Sequence, residues 1–292
     1  MKTVAILGAD SMLGSELARQ LQKKDSLVVS VGRASHNDIV FDLTGAFDPN
    51  SCKGLQVDVL IHSASAFEGD DIACARINFL INALGCLNVL SLMQALSCKV
   101  CCYAGTVTSY GDFEPGQMSS YGLSKAQGEE VLEWGMRRVG GRFCCLRLAG
   151  IYDTNGESCK HQPWFGRIVA YASRGMDLGM PDSAGGRNYL HVADAASLIL
   201  GALEAELSGT WPLCHFEQLD HAAIARLAYA EFACGGEVLL DRRKLPFRKV
   251  NYPSGADLFE RLGMAPAISM ARGLEMIHRA GTAPNFGPMD VQ

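Results

Sequence analysis

Apolar and polar positions in the first 150 residues follow two alternating rhythms. Short apolar runs at Lys2–Leu7, Leu27–Val31, Asp38–Phe41, Val57–Ile61, Lys99–Tyr103 and Arg142–Leu148 predict strands. Between them, Met12–Lys24 repeats leucine at Leu13, Leu17 and Leu21, and Ile72–Leu96 and Tyr121–Arg138 carry apolar residues every three to four positions, which predicts helices. Strands separated by helices require parallel pairing through helical crossovers, so the fold class is α/β, a doubly wound parallel sheet of Rossmann type. Ligands in such sheets bind at the carboxyl ends of the strands.

Beyond Ile151 the pattern loosens. Polar and glycine-rich stretches at Asp153–Lys160 and Asp182–Arg187 are followed by predicted helices at Val192–Ala205, His221–Cys234, Gly255–Leu262 and Ser269–Arg279. The expected division is a dinucleotide-binding domain over residues 1–150 and, over 151–292, a smaller substrate-binding cap with some returns to the sheet. Residues from Gly281 onward are expected to fray.

Composition removes several alternatives. With 48% hydrophobic and 20% charged residues in 292, the chain can bury a large core. A net charge of -5 argues against a nucleic-acid partner. Runs such as Val57–Ile61 and Ala193–Leu203 are too short or interrupted for a bilayer, and Val4–Leu7 is too brief for a signal-peptide core, so no membrane span and a cytoplasmic location are expected. The eleven cysteines are odd in number and include the adjacent pairs Cys101-Cys102 and Cys144-Cys145, which fits reduced apolar fillers of buried strands better than disulfides. Cys98 and Cys101 match C-x-x-C at a strand entrance, without the helix N-terminus that would make the motif redox active.

Two constellations carry chemistry. Gly8-Ala9-Asp10-Ser11-Met12-Leu13-Gly14 lies between a strand and a helix, where Gly8 permits a tight turn, Gly14 close helix packing, and the helix N-terminus attracts a pyrophosphate. Ser11 replaces the middle glycine; its Cβ crowds the phosphate while its hydroxyl can donate to it. A plain glycine-rich turn would explain this segment alone. The second is Tyr121-Gly122-Leu123-Ser124-Lys125, which sets a phenol and an ammonium on one helical face. A nearby ammonium and an oxidised nicotinamide favour the phenolate and make a useful acid/base. Thr106, at the end of the fifth strand, can hydrogen-bond the same substrate oxygen.

Further segments accompany these: Asp58 to Ala64 (DVLIHSA), Asn82 to Leu90, Thr106 to Asp112, Arg147 to Tyr152 (RLAGIY), Arg187 to Asp194 (RNYLHVAD) and Leu262 to Pro266. In this order the chain resembles the extended short-chain dehydrogenase/reductase family, which includes nucleotide-sugar epimerases, dehydratases and reductases. The resemblance implies that Thr106, Tyr121 and Lys125 are catalytic, with Lys125 also binding the nicotinamide ribose. It assigns cofactor binding to Gly8, Asp10, Ser11, Met12, Leu13 and Gly14, to Asp42 near the adenine with Leu43, and to Ser63 and Ala64 near the phosphates. Arg187 matches an arginine that holds a nucleotide-sugar pyrophosphate, and Arg248 is a second candidate. His62 and His191 read as framework hydrogen-bonders and Asp194 as a helix N-terminal residue.

The cofactor expectation turns on Val31-Gly32-Arg33, the end of the second strand, where an NAD enzyme carries an acid. Gly32 leaves room for a 2′-phosphate and Arg33 can pair with it, so NADP(H) is favoured, with NAD(H) the alternative. Among the family's reactions, dehydration lacks its acidic pair, since Val107 and Thr108 follow the threonine. The epimerase/reductase type lacks its cysteine, Thr108 standing in its place at the substrate, although His161 falls near that type's histidine. What remains is reduction of a 4-keto-(6-deoxy) nucleotide sugar, with 4-epimerisation as the alternative and a noncatalytic dinucleotide-binding protein as the rival class. The helices at 72–96 and 121–138 resemble those that pair in family homodimers.

Overall fold

The computed structural model describes residues 2–52, 54–110, 118–182, 185–247 and 250–289. In chain order these form β1 (Thr3–Leu7), α1 (Met12–Gln22), β2 (Leu27–Gly32), β3 (Ile39–Val40), β4 (Val59–His62), α2 (Ile72–Phe79), α3 (Gly85–Ala95), β5 (Val100–Thr106), α4 (Ser120–Arg138) and β6 (Arg142–Leu148). There follow β7 (Gly150–Tyr152), α5 (Pro163–Ser173), β8 (Leu178–Pro181), β9 (Tyr189–His191), α6 (Val192–Glu204), β10 (Gly209–Leu213), α7 (His221–Phe232), β11 (Val238–Asp241), α8 (Ala256–Leu262) and α9 (Met270–Ala280). The chain packs as two units, one of Met1–Leu148, Ala196–Leu213 and Ala256–Met264, the other of Ala149–Ala195, Cys214–Gly255 and Ala265–Gln292.

Among the described residues of the first unit, seven strands form one sheet in the order β10-β6-β5-β4-β1-β2-β3. Every pairing is parallel, giving the doubly wound Rossmann arrangement. The central strands are apolar on both faces: Val4 to Leu7 and Val59 to Ile61 are all buried. α1 lays Leu13, Leu17 and Leu21 on the sheet at four-residue intervals. Cys101 and Cys145 join the core that includes Leu92 and Leu132, while their neighbours Cys102 and Cys144 face the other side by strand alternation. All eleven cysteines are free thiols.

Two elements differ from the sequence expectation. The helix predicted over 72–96 is divided into α2 and α3 by a π-helical turn at Leu80–Leu84. Apolar periodicity carries no mark of the cause, which is polar: buried Asn78 bonds Glu68 and Ser120, and buried Asn82 bonds Ala66 and Ser124. The stretch Ile72–Ala95 is long and apolar enough to cross a membrane, yet these two asparagines build it into the first unit. The fifth strand, whose apolar run spans Lys99–Tyr103, stays paired as far as Thr106, the residue expected at its end, because Ala104, Gly105 and Thr106 each pair with β6.

The second unit holds β7 paired with β9, β8 paired with β11, and α5, α7 and α9 around a core that includes Tyr152, Phe165, Ile168 and Leu274. Asp194 lies in the first turn of α6, but its carboxylate accepts the backbone N–H groups of Ala267 and Ile268. Residues 281–289 depart from the expected fraying, and the last three residues lie outside the described residues. Ala283–Asn285 make a 3-10 turn, the Thr282 hydroxyl donates to the Thr154 carbonyl, and Phe286 is 3% exposed in the core. Its aromatic side chain meets Phe165 at a ring distance of 6.1 Å, a burial that outweighs the breaker residues around it. Phe286→Ala is therefore expected to cost about 3–5 kcal/mol in urea unfolding, where a frayed tail would show almost no change.

Candidate functional site

The glycine turn is shaped by contact. Gly8 has φ +89°, and a Cβ there would sit 2.7 Å from the Ala64 nitrogen. Gly14 lies against the turn itself, so that a Cβ on it would strike the Gly8 carbonyl oxygen and lie 2.9 Å from the Ala9 Cα. Ser11 is the N-cap of α1: its Oγ accepts from the Gly14 N–H at 3.0 Å, and its own N–H donates to the Gly8 carbonyl at 3.0 Å. The serine that breaks the glycine pattern thus holds the helix end in place. Met12 and Leu13 begin the helix, and their N–H groups belong to the set with no acceptor inside it, the donors a pyrophosphate uses.

The wall beside the turn comes from β4. The Ser63 N–H, the Ser63 hydroxyl and the Ala64 N–H all donate to the Leu7 carbonyl, at 2.9, 3.0 and 3.1 Å. Asp42 is exposed and accepts the Thr44 N–H and hydroxyl, both at 2.8 Å; those bonds, followed by the Arg33 charge, hold its carboxyl below the usual range. Leu43 is buried, and its carbonyl accepts from Asn88.

Arg33 is exposed after the end of β2, as expected, but the room attributed to Gly32 is filled. A Cβ on Gly32 would lie 2.8 Å from the Asn37 Nδ2 and 3.1 Å from an Asp10 carboxylate oxygen. Asp10 leans there from the glycine turn, bonded by Asn37 at 2.9 Å and by His36 at 2.7 Å. Nothing in the local sequence signals this, because the three residues meet only once β1 and β2 are paired.

Near the carboxyl end of β5 lie the residues expected to form the acid/base set. Thr106 is buried at the end of β5, and its hydroxyl pairs with that of Thr108 at 3.0 Å. Tyr121 is the second residue of α4, whose N-cap is Ser119, and the Thr106 and Ser65 side chains are the polar groups that act on its phenol. Burial pushes the phenol up to about 12, and those two hydroxyls work against the rise. Phe67 covers the ring edge to face at 4.6 Å. Ser65 and Phe67 were missed from sequence, although Ser65 directly follows the His62-Ser63-Ala64 segment.

The Lys125 ammonium donates to the Ala104 carbonyl at 2.8 Å and lies 4.0 Å from the centre of the Tyr103 ring. Burial draws its pKa down to about 8. One turn further along the same face, Glu129 holds Arg147 of β6 in a two-point ion pair at 2.9 and 3.2 Å and accepts from the Thr210 hydroxyl at 2.6 Å. Arg147 in turn stacks on the Tyr110 ring at 4.3 Å. The spacing Tyr121, Lys125, Glu129 is the sequence signal that could have found this third member.

The other predicted residues lie in the second unit. Arg187 pairs through its backbone with Leu219, donates to the Gly186 carbonyl and lies 5.6 Å from the Phe247 ring. Phe247 also packs on His221 at 4.2 Å and on Trp164 at 4.8 Å. His161 is exposed at the C-cap of the 3-10 turn Glu157–Lys160. Arg248, together with Gly111 and Asp112, falls outside the described residues.

The model of the NAD dependent epimerase/dehydratase family matches residues 4–211, more than half of the chain. The chain belongs to this family. Membership makes it an NAD(P)-dependent enzyme of the extended short-chain dehydrogenase/reductase group. A dTDP-4-dehydro-6-deoxy-D-allose reductase from Streptomyces bikiniensis is 23% identical, with 87% of each chain covered. A UDP-N-acetylglucosamine 4-epimerase from Bacillus cereus shares the fold at a TM-score of 0.79 and 21% identity, covering 96% of this chain and 99% of that one. RMD from Pseudomonas aeruginosa, complexed with NADPH, has a TM-score of 0.79 and 20% identity over 97% and 100%. A Thermus thermophilus UDP-glucose 4-epimerase, in complex with NAD, has a TM-score of 0.76 and 19% identity over 97% and 99%.

His62, beneath the site on β4, is 1% exposed, and its Nδ1 has no hydrogen-bond partner. Burial draws its pKa from 6.5 down to about 3. The unfolded chain therefore takes up a proton near pH 6.5 that the folded chain refuses, and stability falls as pH drops from 7 towards 3. At pH 5 this histidine should cost about 2 kcal/mol relative to pH 7. His62→Phe removes that part of the acid sensitivity, read as a smaller drop in urea midpoint between pH 7 and pH 5.

Proposed function

We propose that this enzyme transfers a hydride between a nicotinamide dinucleotide and C4 of a nucleotide-linked hexose, and that it works as a reductase of a 4-keto-(6-deoxy) sugar. The observation that carries the reading is the Tyr121 phenol on α4, acted on by the Thr106 and Ser65 side chains at the carboxyl ends of the strands. At neutral pH a phenol with a raised pKa keeps its proton, the state needed to protonate O4 as hydride reaches C4. Thr106 orients the same oxygen. The nicotinamide, when bound, supplies the hydride and, once oxidised, a positive charge that eases the phenol towards its anion.

Val107 and Thr108 after Thr106 provide no carboxylate to remove a second proton, which supports chemistry at C4 alone. The name of the Streptomyces bikiniensis relative favours reduction, and the names of the epimerase neighbours favour the second reading, a 4-epimerase in which Tyr121 first takes the O4 proton. Of the two grounds for NADP(H), Arg33 remains. The second unit is assigned the role of substrate cap; Arg187, with Arg248 as second candidate, is assigned to the pyrophosphate, and Thr108 and His161 to the sugar.

Incubated with reduced nicotinamide cofactor and a 4-keto-6-deoxy nucleotide sugar, the protein is expected to consume the nicotinamide absorbance steadily. Interconversion of hexoses with no net absorbance change would replace this reading by the epimerase, and cofactor binding without turnover on either substrate would replace it by a noncatalytic protein. Tyr121→Phe should lower kcat about 10²–10⁴-fold while leaving cofactor affinity, measured by calorimetry, nearly unchanged.

The same helices leave apolar residues exposed: Ile72, Leu80, Leu84 and Leu87 along α2 to α3, and Leu123 and Trp134 on α4. An apolar face of this kind on one unit fits a homodimer through 72–96 and 121–138. Light scattering after size exclusion should give twice the chain mass for the wild type and the single-chain mass for Leu84→Glu.

A further inference from the structure

The end of β2 is where a dinucleotide-binding sheet commonly reads the adenosine ribose: a carboxylate there accepts from the diol, and an arginine there can meet a 2′-phosphate. In this chain β2 ends in Gly32 and is followed by Arg33, with no acid at either position. The place is nevertheless occupied by a carboxylate. Any side chain begun at Gly32 would start 3.1 Å from the Asp10 Oδ2 and 2.8 Å from the Asn37 Nδ2, so the glycine makes room for this pair. Asp10 belongs to the glycine turn, two residues before the start of α1.

The carboxylate is held from two sides. Asn37 is 6% exposed; its Nδ2 donates to the Asp10 Oδ2 at 2.9 Å and to the Ala34 carbonyl at 3.2 Å. The His36 Nε2 meets the other oxygen at 2.7 Å. These hydrogen bonds, Asn37 first, hold the Asp10 carboxyl below its ordinary range. A carboxylate has about four acceptor sites, and these two bonds leave others for further donors. Arg33 follows in the chain, exposed, with part of its field directed at Asp42.

We propose that Asp10 does the work of the missing β2 acid: it accepts hydrogen bonds from the adenosine ribose diol, repels a 2′-phosphate, and makes NAD(H) the preferred cofactor. The proposal rests on the cofactor reading of the first unit and reverses the preference that Gly32 and Arg33 suggested. Two vicinal hydroxyls are donors that an anchored carboxylate can receive together. A 2′-phosphate replaces one of these donors by acceptors alone and sets about two negative charges against Asp10.

The test is calorimetric and needs no turnover. The full chain is titrated with NADH, NADPH, 5′-AMP and 2′,5′-ADP, the last two reporting the adenosine half alone. Wild type is expected to bind NADH and 5′-AMP about tenfold or more tightly than their 2′-phosphorylated counterparts. Asp10→Asn, which keeps the shape and removes the charge, should shrink that ratio at least about tenfold, chiefly by tighter NADPH binding. Preference of the wild type for NADPH and 2′,5′-ADP overturns the proposal without any variant, and so does an unchanged ratio in a folded Asp10→Asn. If folded wild type binds neither dinucleotide, the cofactor reading itself falls and takes this proposal with it.

Discussion

The first unit depends on one close approach of backbone to backbone. α1 can start beneath β1 only because Gly14 has no side chain to strike the Gly8 carbonyl, and the turn can lie against β4 only because Gly8 has none to strike the Ala64 nitrogen. Ser11 then satisfies the Gly14 amide from within the turn, which leaves the first helical N–H groups facing outward at the carboxyl edge of the sheet. Anion binding in such a place comes from backbone geometry and not from net charge, which is why a chain of -5 can still receive a pyrophosphate.

A second constraint is the polar column along α4. Tyr121, Lys125 and Glu129 follow one another by a helical turn on the face that meets β5 and β6. Removing an ammonium and a carboxylate from water is expensive unless each finds close partners. Lys125 finds the Ala104 carbonyl and the Tyr103 ring, and Glu129 finds Arg147 and Thr210. With every charge answered, the helix has a single depth and rotation over the strands, and the phenol at its start is presented to Thr106 and Ser65 in one orientation. The π-turn between α2 and α3 serves the same end, since Asn78 and Asn82 bond Ser120 and Ser124 at the start of α4.

The second unit is organised on aromatic burial instead. Tyr152, Phe165, Tyr189 and Phe286 share one core, and His221 is packed among Trp164, Tyr189 and Phe247 with its pKa drawn down to about 3. The neutral ring keeps its Nε2 near the Tyr189 hydroxyl at 3.3 Å. This packing explains why a chain segment rich in glycine and proline after residue 281 stays in place: one buried phenylalanine outweighs several residues with weak local preference.

Much of this was legible in the order of residues. Period-two and period-3.6 patterns located the six early strands and their helices, because burial on a sheet or on a helical stripe leaves a local imprint. Gly8 with Gly14 and Tyr121 with Lys125 could be paired because spacing along one stretch of chain is itself the geometry, whereas Thr106 was named from its place at the end of a strand. Partners from different elements leave no such imprint. The Asp10 carboxylate over Gly32, the Lys125 ammonium on the Ala104 carbonyl, and the Arg147 bridge to Glu129 were settled only when elements distant in sequence packed side by side. The chain alone determined which chemical groups are present and which helix or strand carries each. Tertiary packing decided which of those groups meet, since a contact between elements depends on register and depth, quantities that no local pattern encodes.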